Sequence, residues 1–351
     1  MAYGVIGNTT VSGTVILGSS PGTPAMMLRH SHRPRSSSGL GRRPLTAVTR
    51  VQIPYGVHIQ TPDPVLRIGS FRVGTLGAVT SLDFFEIDVF ATGAFTGNPL
   101  AVICGADSLT GEQMQQIASW TNFSETTFLL QPTSQEADYR VRIFTPVEEF
   151  DFAGHPTLGT ARAWLELGNA PRQSGRVVQE CGVGNVEVRI QGDMLAFATP
   201  PLKRSGELTA EYRDAVCETF GVEKQVLIDA AYGDNGPGWK LALLDGLDAL
   251  RSLEQPTDSD LKVAFAALTG GTDPAYELRA FTPTFEDPVT GSANGAMAQW
   301  LRGRGDVPAR YSVSQGASLG RDGRVEIHDD GKDIWVGGRA QVRVRGTITV
   351  A

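Results

Sequence analysis

The chain has 351 residues, 41% of them hydrophobic, with 38 acids against 31 Lys and Arg and a net charge of −7. That length allows two domains with a core each, and an acidic balance argues against a nucleic-acid groove, which needs clustered Lys and Arg. No run approaches the roughly 18 apolar residues of a membrane span, and Cys104, Cys181 and Cys217 share no metal-ligand or disulfide spacing, as expected of a cytoplasmic protein in a reducing compartment.

Residues 1–80 differ from the rest. They hold eight Arg, no Lys and one acid, Asp63, and read as a disordered or non-homologous extension arising from a start codon placed too far upstream. An Arg-rich, Ser-rich, acid-poor transit peptide is the alternative, and would place the protein in an organellar matrix. A nucleic-acid arm is a third reading.

The organised chain starts near Leu82. The alternation in 84–90 predicts a strand, 92–99 a loop and 100–104 a buried strand. Thr110 with Gln113 forms a capping-box pattern, opening a helix with Met114, Ile117 and Ala118 as its apolar stripe. A polar cluster at 121–126 leads into a β-rich run, and 139–146 predicts a strand. Strands follow near 185–190 and 194–198, helices at 210–220 and 260–268, and a strand at 276–280. The tail reads as four strands, 309–313, 324–328, 333–336 and 341–350, with Gly-rich turns. Many short strands with few prominent helices predict an α+β fold without a parallel βαβ sheet.

One stretch is written twice. Phe144-Thr145-Pro146 recurs as Phe281-Thr282-Pro283, 137 residues later, and Gly154 recurs as Gly291 at the same offset. A one-residue gap then aligns Gly159 with Gly295 and Trp164-Leu165 with Trp300-Leu301. The segment 234–244 faintly echoes 95–103. Two copies are too few for a solenoid and suit a duplicated domain with function in the cleft between halves. The expected boundaries are 82–206 for the first half, with strand 341–351 returning to it, and 207–340 for the second. Each repeated helix starts at a glycine, where unpaired N–H groups and the positive dipole end suit a carboxylate. Either glycine alone reads as a tight turn.

Several motifs carry nothing. There is no GxGxxG after a strand and no P-loop. Gly316-Ala317-Ser318-Leu319-Gly320 matches a nucleophile-elbow string but leads towards another strand, not a helix, and reads as a turn. Five histidines, three of them within 1–80, give no zinc site. Glu125 sits in the polar knot Asn122–Phe128. Walled by aromatic residues it would have a raised pKa suited to proton transfer; the alternative is a solvated helix-end glutamate. Asp287 could accept a hydrogen bond from a substrate or be a loop residue. His155 could donate to substrate or cap a helix. Ser292, His155 and Asp287 could instead form a hydrolase triad, and a non-catalytic small-molecule binding protein is a third reading.

These residues resemble a known family. FTGNPLAV (95–102), NFSETTF (122–128), FTP…FAGHPTLGTA (144–161), EDPVTGSANG (286–295) and the QG…GRDG tail (315–323), in this order, resemble the PhzF-like isomerases of the phenazine-biosynthesis type. The resemblance spans about residues 82–351. It implies a diaminopimelate-epimerase-like fold: two pseudo-symmetric domains, each a mainly antiparallel sheet around a central helix. It implies no cofactor and no metal, a small carboxylate substrate, and the homodimer common among similar proteins. It places the acid/base glutamate at Glu125 and substrate contacts at Gly154, His155, Asp287, Gly291 and Ser292. Related epimerases carry cysteines where this chain has Ala153 and Thr290, so two-thiol stereoinversion is not expected.

Overall fold

The structure is a computed structural model that describes residues 80–350 in full and, of residues 1–79, only the backbone of five short strands. Those strands are β1 (Tyr3–Ile6), β2 (Thr9–Ser12), β3 (Ile16–Gly18), β4 (Ala25–Arg29) and β5 (Val48–Val51). β1 pairs with β2, and β4 lies between β3 and β5. The expected disorder of residues 1–80 otherwise falls outside the described residues.

In the first half of the body the strands are β6 (Thr80–Val89), β7 (Asn98–Cys104), β8 (Thr126–Leu130), β9 (Tyr139–Phe144), β10 (Glu149–Phe150), β11 (Arg176–Cys181), β12 (Gly184–Gln191) and β13 (Met194–Ala198). Two helices accompany them, α1 (Gly111–Thr121) and α2 (Gly154–Glu166). The second half holds α3 (Ala210–Phe220), β14 (Leu227–Gly233), β15 (Trp239–Leu244), α4 (Leu247–Arg251), β16 (Val263–Leu268), β17 (Tyr276–Phe281), β18 (Glu286–Asp287), α5 (Gly291–Arg304), β19 (Arg310–Gln315), β20 (Gly323–Asp329) and β21 (Ile334–Val350).

The long strand β21 joins the halves. Its start pairs with β20, its Trp335–Arg339 segment with β13, and Ala340–Val350 with β6. Strands β6, β7, β8, β9, β11, β12, β13 and β21 therefore close into a ring of eight. Helix α2 packs against every strand of that ring. It is buried almost all round, which is why its sequence is apolar or small on nearly every side. Strands β14 to β17 and β19 to β21 form the second, open sheet. Helix α5 lies on one face of it, and α3 and α4 cover the other through Val216, Phe220 and Leu250. The fold is α+β, as expected, and its sheet is mainly antiparallel. However, β7/β8, β9/β11, β15/β16 and β17/β19 pair in parallel across α1, α2, α4 and α5, so βαβ crossovers are present against expectation. Leu76–Ala351 forms one compact unit.

The capping box is present: Thr110 Oγ1 accepts from Gln113 N at 3.2 Å, and Gln113 Oε1 from Thr110 N at 2.9 Å. The string at 316–320 is a short 3-10 turn after β19, with no α-helix behind it. Two element assignments also need correction. Residues 260–268 are not a helix: Val263–Leu268 form strand β16, buried on both faces up to its exposed last residue, and 260–262 lead into it. A short apolar run has no periodicity that separates a buried strand from a buried helix. The two tail strands 333–336 and 341–350 are one strand, running through Gly337 and Gly338 and shifting register between Val342 and Val344.

Candidate active site

Four sequence features place the site. Helix α1 stops at Asn122 in the left-handed conformation (φ 56°), and β8 starts at Thr126, so Glu125 is held between two fixed elements. β7 starts at Asn98, next to the start of β8. Helices α2 and α5 start at Gly154 and Gly291, and their first turns touch. A Cβ on Gly291 would lie 2.9 Å from Gly154 Cα and 3.1 Å from His155 N. Only residues without a side chain allow this backbone-to-backbone approach. Neither helix start has a side-chain cap, and Pro156 fills a first-turn position where no N–H is needed.

His155, Asp287 and Asn98 converge on this point and are all buried. The Asn98 amide donates to Asp287 Oδ1 at 2.7 Å and to the Val289 carbonyl at 3.0 Å. It also faces His155 Nδ1 at 3.4 Å. A donor facing Nδ1 favours the tautomer with the proton on Nε2. That Nε2 lies 3.5 Å from Glu125 Oε2, whose side chain is 13% exposed. Both atoms are buried without a hydrogen-bond partner among the described residues. Burial also pushes the His155 pKa down to about 3, so the ring is neutral and the contact is not an ion pair.

The carboxylates behave differently. Glu125 is pushed up to about 8, first by burial and then by the charge of Asp287, while a hydrogen bond with Ser124 opposes the shift. Asp287 rises to about 6 by burial, opposed by hydrogen bonds from Thr290 and Asn98. Near neutral pH the pair therefore carries about one proton between its two carboxyl groups. Gln315 braces the far side of Asp287, donating to its carbonyl at 3.0 Å and accepting from Thr290 N at 3.0 Å.

Ser292 is placed apart from this group. Its Oγ accepts from Trp239 Nε1 at 3.0 Å, and its carbonyl accepts from Asn235 at 2.9 Å. His155 is oriented by Asn98, not Asp287, and its free nitrogen faces Glu125. The hydrolase arrangement is thus not assembled, and a ring that protonates only near pH 3 is a poor base for it.

Of the residues expected from sequence, Glu125, Gly154, His155, Asp287 and Gly291 come together, and Ser292 lines the second side of the α5 start. Sequence reading missed Asn98 and Gln315 as members of the site, although both lie in stretches that carry the resemblance. A signal for Asn98 existed, because Asn235 stands 137 residues later and plays the matching part at Ser292. Ala153 and Thr290 are the residues preceding the two helices, and Thr290 Oγ1 donates to Asp287 Oδ2 at 2.7 Å. Among the described residues no cluster of His, Cys, Asp and Glu has metal-binding geometry, and no helix is long and apolar enough to cross a membrane.

Comparison with known proteins identifies the family. Residues 87–350 match the model of the phenazine biosynthesis-like protein family, PhzC-PhzF. The chain belongs to this family of isomerase-type enzymes. It is 34% identical to antisense-enhancing sequence 1 of Schizosaccharomyces pombe, over 76% of this chain and 99% of that protein. It is also 34% identical to the trans-2,3-dihydro-3-hydroxyanthranilate isomerase of Pseudomonas aeruginosa, over 71% of this chain and 90% of the relative. Among solved structures, a PhzF-family phenazine biosynthesis protein of Bacillus anthracis superposes with a TM-score of 0.67 at 26% identity, covering 77% of this chain and all of that one.

Proposed function

We propose that the protein is a cofactor-independent isomerase that moves a proton between carbons of a small carboxylate-bearing substrate, with Glu125 as the acid/base. In this reading the two halves act as pseudo-symmetric domains closing over the substrate. The observation that carries it is the buried, unpartnered Glu125 Oε2, 3.5 Å from a neutral His155 at the junction of two uncapped helix starts.

The chemistry follows from the charges. The unpaired N–H groups of Gly154, Gly291 and their neighbours, with two positive helix ends, hold the substrate carboxylate. Held there, the carboxylate stabilises the extended anion formed when a neighbouring C–H is deprotonated. The ionised form of Glu125, the minority form near neutral pH at a pKa of about 8, takes that proton, the C=C bond shifts, and the carboxyl returns the proton to another carbon. The oxidation level is unchanged, so such a reaction needs no redox partner. Neutral His155 donates from Nε2 to a polar substituent, and ionised Asp287 accepts from an amine or hydroxyl. A glutamate pKa near 8 suits both halves of the transfer near neutral pH. Alanine and threonine at the two helix caps leave no thiol pair for stereoinversion. A relative 34% identical to this chain is named an isomerase of trans-2,3-dihydro-3-hydroxyanthranilate, an unsaturated ring acid of this chemical kind.

The test is a screen of unsaturated and cyclic carboxylates with the purified protein in D₂O, read by proton NMR. At least one carboxylate is expected to take up deuterium at carbon. No exchange anywhere, with covalent labelling of Ser292 by a fluorophosphonate, would move the assignment to a hydrolase.

A further inference from the structure

The hydrogen bonds around Asp287 take their directions from backbone groups that cannot reverse theirs. The Asn294 amide donates to the Thr290 carbonyl at 2.9 Å, which only accepts, so the same NH2 group donates to Gln315 Oε1 at 2.8 Å. The Thr290 N–H also donates to Gln315 Oε1, at 3.0 Å. Gln315 Nε2 is therefore the donor end, to the Asp287 carbonyl at 3.0 Å and to Thr290 Oγ1 at 3.1 Å. With Gln315 donating to it, the Thr290 hydroxyl has one proton of its own to place. The acceptor it meets is Asp287 Oδ2, at 2.7 Å.

The other carboxyl oxygen is fixed in the same way. The Asn98 NH2 group donates to the Val289 carbonyl at 3.0 Å and to Asp287 Oδ1 at 2.7 Å, while Asn98 Oδ1 accepts from Ser124 at 3.3 Å. Asp287 is thus met by a donor on each oxygen, and Asn98, Thr290, Asn294 and Gln315 are all buried. Glu125 differs, because its Oε2 has no hydrogen-bond partner among the described residues. Donors that cannot turn round stabilise an ionised carboxylate and oppose its protonation.

This shell is not what a helix start requires. In the first copy of the repeat Phe150 and Ala153 stand where the second has Asp287 and Thr290, and α2 starts all the same. Arg142–Glu149 and Arg279–Glu286, paired at the same offset at 2.6 and 2.7 Å, keep the correspondence in space.

We infer that Gln315 and Thr290 are positioning residues that decide which of the two facing carboxyl groups carries the shared proton: Thr290, turned by Gln315, holds Asp287 as the ionised partner together with Asn98 and leaves the proton to Glu125. This deepens the proposed function and rests on it only for the use of the proton in catalysis. The other groups around Asp287 do not supply the bias. Glu286 raises its pKa but is itself paired with Arg279, and the His155 ring is neutral. The two carboxyl groups fall in the order required, Glu125 at about 8 and Asp287 at about 6, although burial raises both.

NMR titration of the unliganded protein, with 13C in its Asp and Glu carboxyl groups, reads the bias without turnover. The two signals are assigned by their loss in Asp287→Asn and Glu125→Gln. In the wild-type protein the Asp287 carbon is expected to move in the lower step and the Glu125 carbon in the upper. Thr290→Val keeps the shape and removes the hydroxyl. It should let Asp287 bind its proton about tenfold more tightly, so that its carbon also moves in the upper step. Thr290→Ser should restore the wild-type pattern. Gln315→Met should act in the same direction and add little to Thr290→Val, as a residue working through Thr290 must. Two carbons that move together in the wild type, a result that needs no variant to fold, would overturn the assignment. So would a Thr290→Val pattern identical to the wild type. Either result would leave the proposed function to the exchange screen, whereas the expected pattern without exchange on any carboxylate would leave the positioning and remove the function.

Discussion

At the scale of single residues, the site depends on where one proton sits. Removing the Asp287 charge takes away the second-largest cause of the raised Glu125 pKa. In Asp287→Asn the Glu125 carboxyl should therefore titrate below about 8, yet still above its ordinary 4.5 because burial persists. Titration of 13C-labelled glutamate by NMR checks this; an unchanged value would deny the pair. The sign for stability follows. Folded Glu125 holds its proton where an unfolded glutamate has lost it, so its contribution is present below about 4.5 and is lost as pH rises to about 8. Glu125→Gln should flatten the fall in stability across that window in urea titrations. Asn98→Ala leaves Asp287 Oδ1 and the Val289 carbonyl unpaired in a buried place. It should cost about 1–3 kcal/mol of stability in the same assay and raise the Asp287 pKa, because a hydrogen bond that lowers it is lost. A change below about 0.5 kcal/mol would mean that water replaces the amide at little cost. Polar surroundings marked Glu125 and Asp287 as candidates but left each a bland alternative, a solvated glutamate and a loop aspartate, and only the family resemblance singled them out. Asn98 was not singled out, because an asparagine in a Gly-Pro-rich loop reads first as a turn former, and only its partners reveal otherwise.

At the scale of elements, the duplication offers an internal control. Arg279–Glu286 and Arg142–Glu149 are the same pair in two copies, with side chains 6% and 6% exposed in the one and 32% and 41% in the other. Glu286→Gln strands a buried guanidinium and should cost about 3–5 kcal/mol, whereas Glu149→Gln should cost at most about 1 kcal/mol. Denaturant unfolding of the two variants decides; equal losses would mean that burial does not control the pair. Gly291→Ala tests the contact of the helix starts. Its Cβ would meet Gly154 Cα at 2.9 Å, so the two ends must part, and carboxylate affinity should drop at least tenfold. Unchanged binding would show that the junction does not hold the ligand. The repeated helices were legible because Gly, Ala, Trp and Leu recur in order. β16 was misread as a helix for want of polar punctuation, although β8, 137 residues earlier, is preceded by the NFSE knot that marks its start. Comparing the two copies position by position would have assigned it.

At the scale of the molecule, closure of the ring and its link to the second sheet both pass through β21, which pairs with β20, β13 and β6 along its 17 residues. No local pattern foretells a strand with three partners. The sequence shows alternation and a pair of glycines, and pairing over about 250 residues is decided only when both halves fold. This connection holds α2 and α5 end to end, and with them the residues gathered at their starts. The most direct measurement of the central claim is hydrogen exchange at carbon, followed by NMR in D₂O, for the wild-type protein and Glu125→Gln with one bound unsaturated carboxylate. The account predicts exchange in the wild type and a loss of about 10²–10⁴-fold in the variant with binding retained; exchange at an undiminished rate in Glu125→Gln would contradict it.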